Sequence, residues 1–391
     1  MHIPIPKTGR EGDMAIRIIH TSDWQIGKVF RFLDPTIMGL LQEARLGAIT
    51  RLGELAKENG VRHILVAGDV YDMEALTARS INQPLERMRP FKDIHWHLLP
   101  GNHDPHRPNG LWDRILSGGI PDNVHVHLIP KPVALADGGT VLLPAPLVHR
   151  HTLGDPTAYM DDNFPSSGRI RIGLSHGTVT GFGSEDRSVP NFISPDRPKT
   201  AALSYLALGD WHGQRKINAR CWYSGTPEQD AFDVENAGKA LLVAIEGPDM
   251  DPTVTPIETG YYTWTSLTRI VHSRDEIDSL ERTLRGLPGD PSRTLLSLNI
   301  EGGLSLQDRV YFEKTIVEGV SAAFCVLRLE SKHLYATPTP EDLDQIDRGG
   351  FVRVAAEKLR RLSEESGETG ILASEALQRL YLEHMKLHGG Q

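Results

Sequence analysis

Residue types that bind metal ions recur in five short segments of this chain, each at or just after the end of an apolar run. The segments are Asp23-Trp24-Gln25, Gly68-Asp69-Val70-Tyr71-Asp72, Gly101-Asn102-His103-Asp104, Ser175-His176-Gly177 and Gly209-Asp210-Trp211-His212. Carboxylate, amide oxygen and imidazole groups on loops that follow strands can converge on divalent cations. Two such ions can hold a phosphate group while water attacks it. The pattern therefore predicts hydrolysis of a phosphoester.

Asp69 is the expected bridging carboxylate, because a two-metal site needs an anionic oxygen shared between the ions. Around it, one ion is expected to take Asp23, Gln25 and His212, and the other Asn102, His176 and Asp210. A lone Asp after a strand more often caps a loop, but five such segments in one chain favour metal binding. Mixed oxygen and nitrogen donors suit Mn²⁺, with Fe, Zn or Mg as competitors.

His103 directly follows Asn102, so its side chain does not easily share the same ion but can reach a leaving group. A histidine can donate a proton to the departing oxygen, and a carboxylate on its other nitrogen can hold its orientation. Asp72 is the first choice for that carboxylate, whereas Asp104 either supports the site or forms a turn. The histidines outside the five segments are interpreted as structural or surface residues: His20, His63, His95, His97, His125, His127, His149 and His151.

The composition is typical of a globular enzyme. The chain has 391 residues, 39% hydrophobic and 24% charged, which is enough for a full core and two or three domains. Its two cysteines give no disulfide framework, and no stretch reaches the roughly 20 apolar residues that cross a bilayer. A cytoplasmic protein is expected, with residues 1–14 as a disordered leader and Met14 as an alternative start. The net charge of −9 argues against a surface that is basic throughout, so any nucleic-acid site must be local.

Hydrophobic periodicity predicts a layered α/β domain. Strands and helices alternate over residues 16–99, and strand patterns dominate residues 124–245. A change of pattern after residue 248 predicts a second, smaller α/β domain, and the tail carries apolar residues at helical spacing. The predicted division is a leader over 1–14, a main domain over 15–248, a second domain over 249–336 and a helical tail over 337–391.

The five segments, in this order, resemble the calcineurin-like metallophosphoesterase superfamily over residues 15–246. Three stretches further resemble the SbcD-type DNA repair exonucleases, nuclease subunits that partner SMC-like ATPases: His20-Thr21-Ser22-Asp23-Trp24, Leu206-Ala207-Leu208-Gly209 and Tyr223-Ser224-Gly225-Thr226-Pro227-Glu228. The resemblance implies a four-layer β-sandwich flanked by helices, two Mn²⁺ ions, and cleavage of DNA phosphodiesters as an exonuclease or endonuclease. It also implies that residues 249–336 form a capping domain that selects DNA and that the tail docks the ATPase.

Gln25 and Asp210 depart from this family, which usually has histidine at both positions. A neutral amide oxygen is a weaker ligand than imidazole for a borderline-soft ion, whereas an added carboxylate favours a harder one. The two departures therefore leave the metal preference and the full occupancy of both sites open.

Other functions compete with this interpretation. Gly173-Leu174-Ser175-His176-Gly177 matches the nucleophile elbow of serine hydrolases, but the β-branched, Gly-rich stretch after it does not favour the helix that an elbow requires. The same ions would also serve a protein phosphatase, a nucleotidase or a phosphodiesterase of small substrates. A binding module without metal is a third alternative. The tail helices could equally form a homodimer surface or pack on their own domain.

The sequence contains no Gly-x-x-x-x-Gly-Lys-Ser/Thr phosphate loop. Any dependence on ATP would therefore come from another chain.

Overall fold

The computed structural model of the chain describes residues 15–135, 138–162, 168–179, 190–336, 350–365 and 367–388. The predicted leader, residues 1–14, lies outside the described residues. The chain divides into two units, Met1–Tyr262 and Thr263–Gln391. None of the helices that the structure describes is long and apolar enough to cross a membrane.

Three of the five predicted ligand segments follow strands of the first sheet. Its strands are β1 (Ile16–Thr21), β2 (His63–Val66), β3 (His95–Leu98), β4 (Val124–Val126), β13 (Lys239–Ile245) and β14 (Thr253–Glu258). They lie in the order β14-β13-β1-β2-β3-β4, with β1 to β4 parallel and β13 and β14 antiparallel to their neighbours. The loops that follow β1, β2 and β3 therefore begin side by side at one edge of the sheet.

The second sheet carries the other two segments. Its strands are β5 (Val133–Ala134), β6 (Thr140–Ala145), β7 (Ile170–His176), β10 (Tyr205–Gly209), β11 (Arg215–Asn218) and β12 (Cys221–Tyr223). They lie in the order β11-β12-β10-β7-β6-β5. Because β7 and β10 are parallel neighbours, His176 at the end of β7 lies beside Gly209, the residue before Asp210. Two short strands pair separately, β8 (Thr178–Val179) and β9 (Phe192–Ile193).

The two sheets pack face to face, and helices cover the first sheet. Alternation along β1 places Ile18 in the core between the sheets and Ile19 in the core beneath the helices. Those helices are α1 (Pro35–Glu58), α2 (Ala78–Met88) and α3 (Leu111–Gly118). The outer face of the second sheet has its own apolar cluster, which includes Val179 and Leu206, and a short helix, α4 (Arg197–Thr200), lies near it. This layered α/β arrangement confirms the predicted fold class.

The two long helices form where their sequences predict. The Asp34 carboxylate accepts a hydrogen bond from Thr36 N at 2.8 Å and caps the start of α1. Helix α2 continues through Pro84, although a proline inside a helix removes a backbone hydrogen bond. Pro84 is itself buried, together with Leu85 and Met88, so packing outweighs the lost backbone hydrogen bond.

In the second unit, three parallel strands pack against helices. The strands are β15 (Thr263–Val271), β16 (Thr294–Leu304) and β17 (Val326–Ala336). The helices are α5 (Arg274–Arg285) and α6 (Leu306–Phe312), the latter continuing as a π-helix over Glu313–Val320. Short 3-10 turns cover Ala158–Asp161 in the first unit and Pro291–Arg293 and Ser321–Ala323 in the second.

Two tail helices, α7 (Phe351–Ser363) and α8 (Glu368–His388), contact each other. They share a small buried cluster with Leu306, formed by Ala356, Leu377 and Tyr381. The tail therefore packs at least partly on its own unit, one of the alternatives that the sequence left open.

The division between the units lies later than the predicted boundary after residue 248. Strand β14 follows that boundary, yet it pairs along its whole length with β13 of the first sheet. Strand β14, predicted to belong to the second domain, therefore extends the first sheet, and the first unit ends at Tyr262. The sequence of β14, Thr-Val-Thr-Pro-Ile-Glu, is a weak strand pattern without a long apolar run.

Candidate active site

The carboxyl ends of strands from both sheets meet at one place, and the predicted ligands lie there. The ring of His176, at the end of β7, hydrogen-bonds through Nδ1 to the carbonyl oxygen of Ala67, just beyond β2, at 2.8 Å. The backbone N–H of Asp210 donates to the Asp23 carboxylate at 3.2 Å. These two contacts join the strand ends of the first sheet to those of the second.

Three side chains converge closely enough to share one ion. Within the described residues, Asp23, Asp69 and His176 each offer a ligand atom, and these atoms all lie within 4.8 Å of one another. The Nε2 atom of His176 lies 3.5 Å from Asp69 Oδ1 and 3.8 Å from Asp210 Oδ1. Asn102 Nδ2 donates to the same Asp210 oxygen at 3.0 Å.

Two buried atoms at this place have no hydrogen-bond partner in the part of the chain that the structure describes. They are His176 Nε2 and Asn102 Oδ1, an imidazole nitrogen and an amide oxygen. A buried polar atom without a partner is unfavourable, and both atoms are of the type that bind divalent cations. This side of the site, with Asp23, Asp69 and Asp210, therefore fits a cation.

The backbone is strained at four of the predicted ligands. The φ angles of these residues are positive: 53° at Asp23, 42° at Gln25, 52° at Asp69 and 112° at Asp210. Residues other than glycine rarely adopt positive φ angles. Such conformations cost on the order of 1–3 kcal/mol each and persist where the surroundings fix them. The strain is concentrated at residues with a proposed chemical role.

The electrostatics of the site favour bound positive charge. Burial raises the pKa of the Asp23 carboxyl, and the nearby charge of Asp69 raises it further. Burial alone would lower the pKa of His176, but the carboxylates of Asp69, Asp23 and Asp210 outweigh it and raise the pKa to about 9. Asp104 is also fully buried, and burial followed by the charge of Asp69 raises the pKa of its carboxyl well above the usual range. A divalent cation would relieve this accumulation of buried carboxylates.

Gln25 and His212, expected to hold the other ion, contact different partners. Gln25 Nε2 lies 3.1 Å from His212 Nε2, and Gln25 Oε1 accepts a hydrogen bond from Lys28 Nζ at 2.9 Å. The Nδ1 atom of His212 lies 3.0 Å from Asp230 Oδ1. These donor atoms are already hydrogen-bonded within the chain, so this side does not fit an ion as the first side does.

His103 lies beside the carboxylate cluster. Its backbone N–H donates to Asp69 Oδ1 at 2.9 Å, and its Nδ1 lies 3.0 Å from the carbonyl oxygen of Asp72. The Asp72 carboxylate, predicted to orient the ring, is further away, with Oδ1 3.8 Å from Nδ1. The backbone of Asp72 therefore orients the imidazole, while its side chain lies near enough to stabilise a positive charge on it. The carboxylate of Asp104 accepts from the backbone N–H groups of Gly101 and Tyr71, at 2.6 and 3.0 Å, and holds the two loops together.

Three supporting residues were not found from the sequence. Lys28 and Asp230 contact Gln25 and His212, as described above. Arg45 is buried in α1, and its guanidinium donates to the carbonyl oxygens of Trp24 and Asp23, at 2.8 and 3.2 Å. An arginine among the buried apolar positions of α1 is a signal that sequence reasoning could have used, because buried charges are normally paired. Asp230 and Lys28 lie in loops and carry no comparable signal.

The serine hydrolase alternative does not fit the structure. Ser175 is completely buried within β7, and the short strand β8 follows His176, where a nucleophile elbow has a helix. The Ser175 hydroxyl is therefore not placed to attack a substrate.

A match to a known protein family agrees with the geometry of the first unit. Residues 16–194 match the family model described as calcineurin-like phosphoesterase. No curated protein is significantly similar to the chain. Among solved structures, the crystal structure of TT1561 of Thermus thermophilus is similar with 13% identity and a TM-score of 0.40, covering 63% of this chain and 99% of that chain. Residues 16–194 are thus similar to the calcineurin-like phosphoesterases, a family whose chemistry is metal-dependent hydrolysis of phosphoesters.

Proposed function

We propose that this protein is a metal-dependent nuclease that hydrolyses phosphodiester bonds in DNA repair, together with an SMC-like ATPase. The observation that carries the proposal is the meeting of Asp23, Asp69 and His176 within 4.8 Å, with His103 hydrogen-bonded to Asp69 beside them. When bound there, a divalent cation, with Mn²⁺ as the expected ion, would neutralise phosphate charge and activate water. A cytoplasmic location is part of the same proposal.

The residues of the nuclease-like sequence stretches contact the site itself. The Thr226 hydroxyl donates to the carbonyl oxygen of Asp23 at 2.9 Å, and the hydroxyls of Ser224 and Ser22 lie 2.8 Å apart. Ser22 Oγ also donates to the Asp23 carboxylate at 2.6 Å. These stretches therefore hold Asp23 in place. Their position at the site supports the proposal that their resemblance to DNA exonucleases extends to the substrate.

The second unit supports a polymeric substrate and a protein partner. Lys332 and His333 of β17 are exposed and available to a phosphate backbone. Because the net charge of the chain is −9, any DNA site on it must be a local surface of this kind. The tail leaves large apolar side chains exposed on both helices: Phe351, Val354, Ile371 and Leu372. Exposed apolar side chains of this kind are suited to docking another protein. We assign that role to the ATPase, with a second copy of this chain as the alternative occupant.

His103 is the residue proposed to pass a proton to the leaving oxygen. Its Nδ1 faces a carbonyl oxygen, which only accepts, so Nδ1 carries a proton and Nε2 is the atom that remains for the substrate. The hydrogen bond from its backbone to Asp69 fixes the ring next to the carboxylates. In the imidazolium form, with a second proton on Nε2, His103 therefore acts as a general acid that gives the Nε2 proton to the leaving oxygen, positioned by Asp72 and Asp69.

The test is to incubate the purified chain with labelled single- and double-stranded DNA and with a generic diester, in Mn²⁺, Mg²⁺ or Zn²⁺. Wild type is expected to degrade DNA, and His103→Ala to lose roughly 10²- to 10⁴-fold in rate while keeping its bound metal. The exposed His151→Gln variant serves as the control and should cleave normally.

Two outcomes would contradict the proposal. Cleavage of the small diester without any cleavage of DNA would favour an enzyme of small phosphodiesters, nucleotides or phosphoproteins. Normal cleavage by His103→Ala would remove that residue from the mechanism.

A further inference from the structure

The donor atoms on the Gln25 side of the site form a closed ring of hydrogen bonds. Lys28 Nζ donates to Gln25 Oε1 at 2.9 Å and to Asp230 Oδ2 at 2.7 Å. Gln25 Nε2 lies 3.1 Å from His212 Nε2, and His212 Nδ1 lies 3.0 Å from Asp230 Oδ1. The ring contains both atoms, Gln25 Oε1 and His212 Nε2, that a cation on this side would need.

Lys28 determines the orientation of every group in this ring. An ammonium group only donates, so it must face the oxygen of the Gln25 amide and leave the amide NH₂ towards His212. His212 Nε2 must then accept that hydrogen bond, and the ring proton lies on Nδ1, which donates to Asp230. All four groups therefore have partners of the correct polarity. For a cation to bind here, Gln25 would have to rotate and Lys28 would have to leave both of its acceptors.

Lys28 also places a fixed positive charge where a second cation would lie. Asp230, its acceptor, is almost completely buried and lies 3.6 Å from the Arg45 guanidinium as well. The carboxylate on this side is thus already neutralised by cationic side chains, and a divalent ion would be repelled by them.

The opposite side of the site has the contrary character. His176 Nε2 and Asn102 Oδ1 are buried without hydrogen-bond partners among the described residues. Asp23 and Asp69 complete a set that is open to one ion. The difference between the two sides is a difference of satisfied and unsatisfied donors, which is independent of any family pattern.

We propose that this site binds one divalent cation, and that the ammonium of Lys28 takes the place of the second. The ammonium is a compact point charge, and its side chain keeps a quarter of its surface exposed, so it can lie close to an anionic substrate. The inference rests on the proposed function only in assuming a metal-dependent phosphoesterase, and it states how the positive charge of that site is supplied.

The test counts ions rather than turnover. The full chain is dialysed against excess Mn²⁺, bound manganese is measured by mass spectrometry, and electron paramagnetic resonance reports whether two ions are magnetically coupled. Wild type should bind one ion at the site and show no coupling. The double variant Gln25→His with Lys28→Ala removes the ammonium and adds an imidazole, and should gain a second, coupled ion. Lys92→Ala, at an exposed lysine, is the control and should behave as wild type.

Coupled manganese in the wild type would overturn the inference, as would a folded double variant that still holds a single ion. A wild type that binds no ion would overturn it as well. The wild-type measurement decides the question even if the double variant does not fold. If the wild type holds one ion but cleaves neither DNA nor a small diester, the proposed function fails and the inference stands. If it cleaves DNA with two coupled ions, the reverse holds.

Discussion

Two groups of histidines in the first unit have opposite surroundings. His176 lies among carboxylates at the strand ends, and its pKa is raised to about 9 against the effect of burial. The second group, the imidazole layer, lies on or next to β2, β3 and β4 and consists of His63, His95, His97, His125 and His127. Burial and then neighbouring imidazoles lower the pKa of His97 well below its usual value, and likewise lower the pKa of His127 to about 4.

The imidazole layer is held together by its own hydrogen bonds. His97 lies at the centre, with Nε2 3.1 Å from His63 Nδ1 and Nδ1 3.1 Å from His127 Nε2. His95 Nδ1 lies 3.0 Å from His125 Nε2, and the rings of His97 and His127 stack with centroids 5.3 Å apart. Each such nitrogen-to-nitrogen hydrogen bond requires an accepting nitrogen without a proton, so two bonded rings cannot both be charged.

The comparison shows that a histidine's role depends on the charges around it. His176 and the central rings of the imidazole layer are buried, and burial alone disfavours the charged ring in both places. Only at the strand ends do carboxylates reverse that effect and leave a nitrogen without a partner. In the imidazole layer the histidines satisfy one another, which agrees with the structural role predicted for them.

Removal of the Asp69 carboxylate should have the largest effect, because it abolishes the charge that distinguishes the first group. Asp69→Asn keeps an acceptor for the backbone N–H of His103 but loses the anionic oxygen near His176. We expect phosphodiester hydrolysis to fall on the order of 10³-fold or more, with loss of bound metal. Initial rates on DNA and on a small diester, with metal analysis, provide the measurement.

Asp122→Asn, at an exposed aspartate in a turn, is the matched control and should keep full activity. An Asp69→Asn variant that bound metal and cleaved DNA at the wild-type rate would remove Asp69 from the centre of the site.

Protonation of the imidazole layer should produce the next largest effect, which is a loss of folding stability. The unfolded chain takes up a proton on His127 near pH 6.5, whereas the folded chain takes it up only near pH 4. Stability is therefore retained above pH 6.5 and falls as the pH drops from there towards 4, by roughly 3 kcal/mol for this residue. In His127→Gln, the urea midpoint of the first unit should change less between pH 8 and pH 5 than in wild type.

The exposed His151→Gln variant controls for the loss of a histidine and should retain the wild-type pH dependence. Equal pH dependence in His127→Gln and wild type would show that His127 is not the group whose protonation destabilises the fold.

The sequence predicted most of the architecture because apolar periodicity is strong in the elements that form the core. Strands β1, β2 and β7 are almost completely buried, and their apolar runs identify both the strands and the loops that follow them. Helix α3 and strand β14 were missed. Helix α3 has only eight residues and no side-chain cap, and β14 is largely exposed, so neither carries a strong pattern.

For the site, residue types in the strand-end loops were sufficient to bring Asp23, Asp69 and His176 together. The sequence could not show that Lys28 reaches Gln25, because that contact depends on the path of the loop after β1. Nor could it show that Asp72 would orient His103 through its backbone, because a side-chain type carries no information about a carbonyl oxygen. What the pattern lacks, in each case, is the direction in which a group points.

The smallest expected effect comes from a change that displaces the carboxylate without removing it. A Cβ atom on Gly101 would lie 2.1 Å from Asp69 Oδ1 and 2.4 Å from Asp69 N, so Gly101→Ala must push the β2 and β3 loops apart. A shift of about 1 Å in a catalytic group can reduce the rate by up to about a hundredfold, and we expect a loss of roughly tenfold to a hundredfold here. The control is Gly39→Ala in α1, where nothing lies within 4 Å of the added Cβ; activity should be unchanged and stability should rise by up to ~1 kcal/mol. If Gly101→Ala cleaved as fast as Gly39→Ala, the position of Asp69 would tolerate movement, and the contrast between a tightly built carboxylate site and the self-satisfied imidazole layer would weaken.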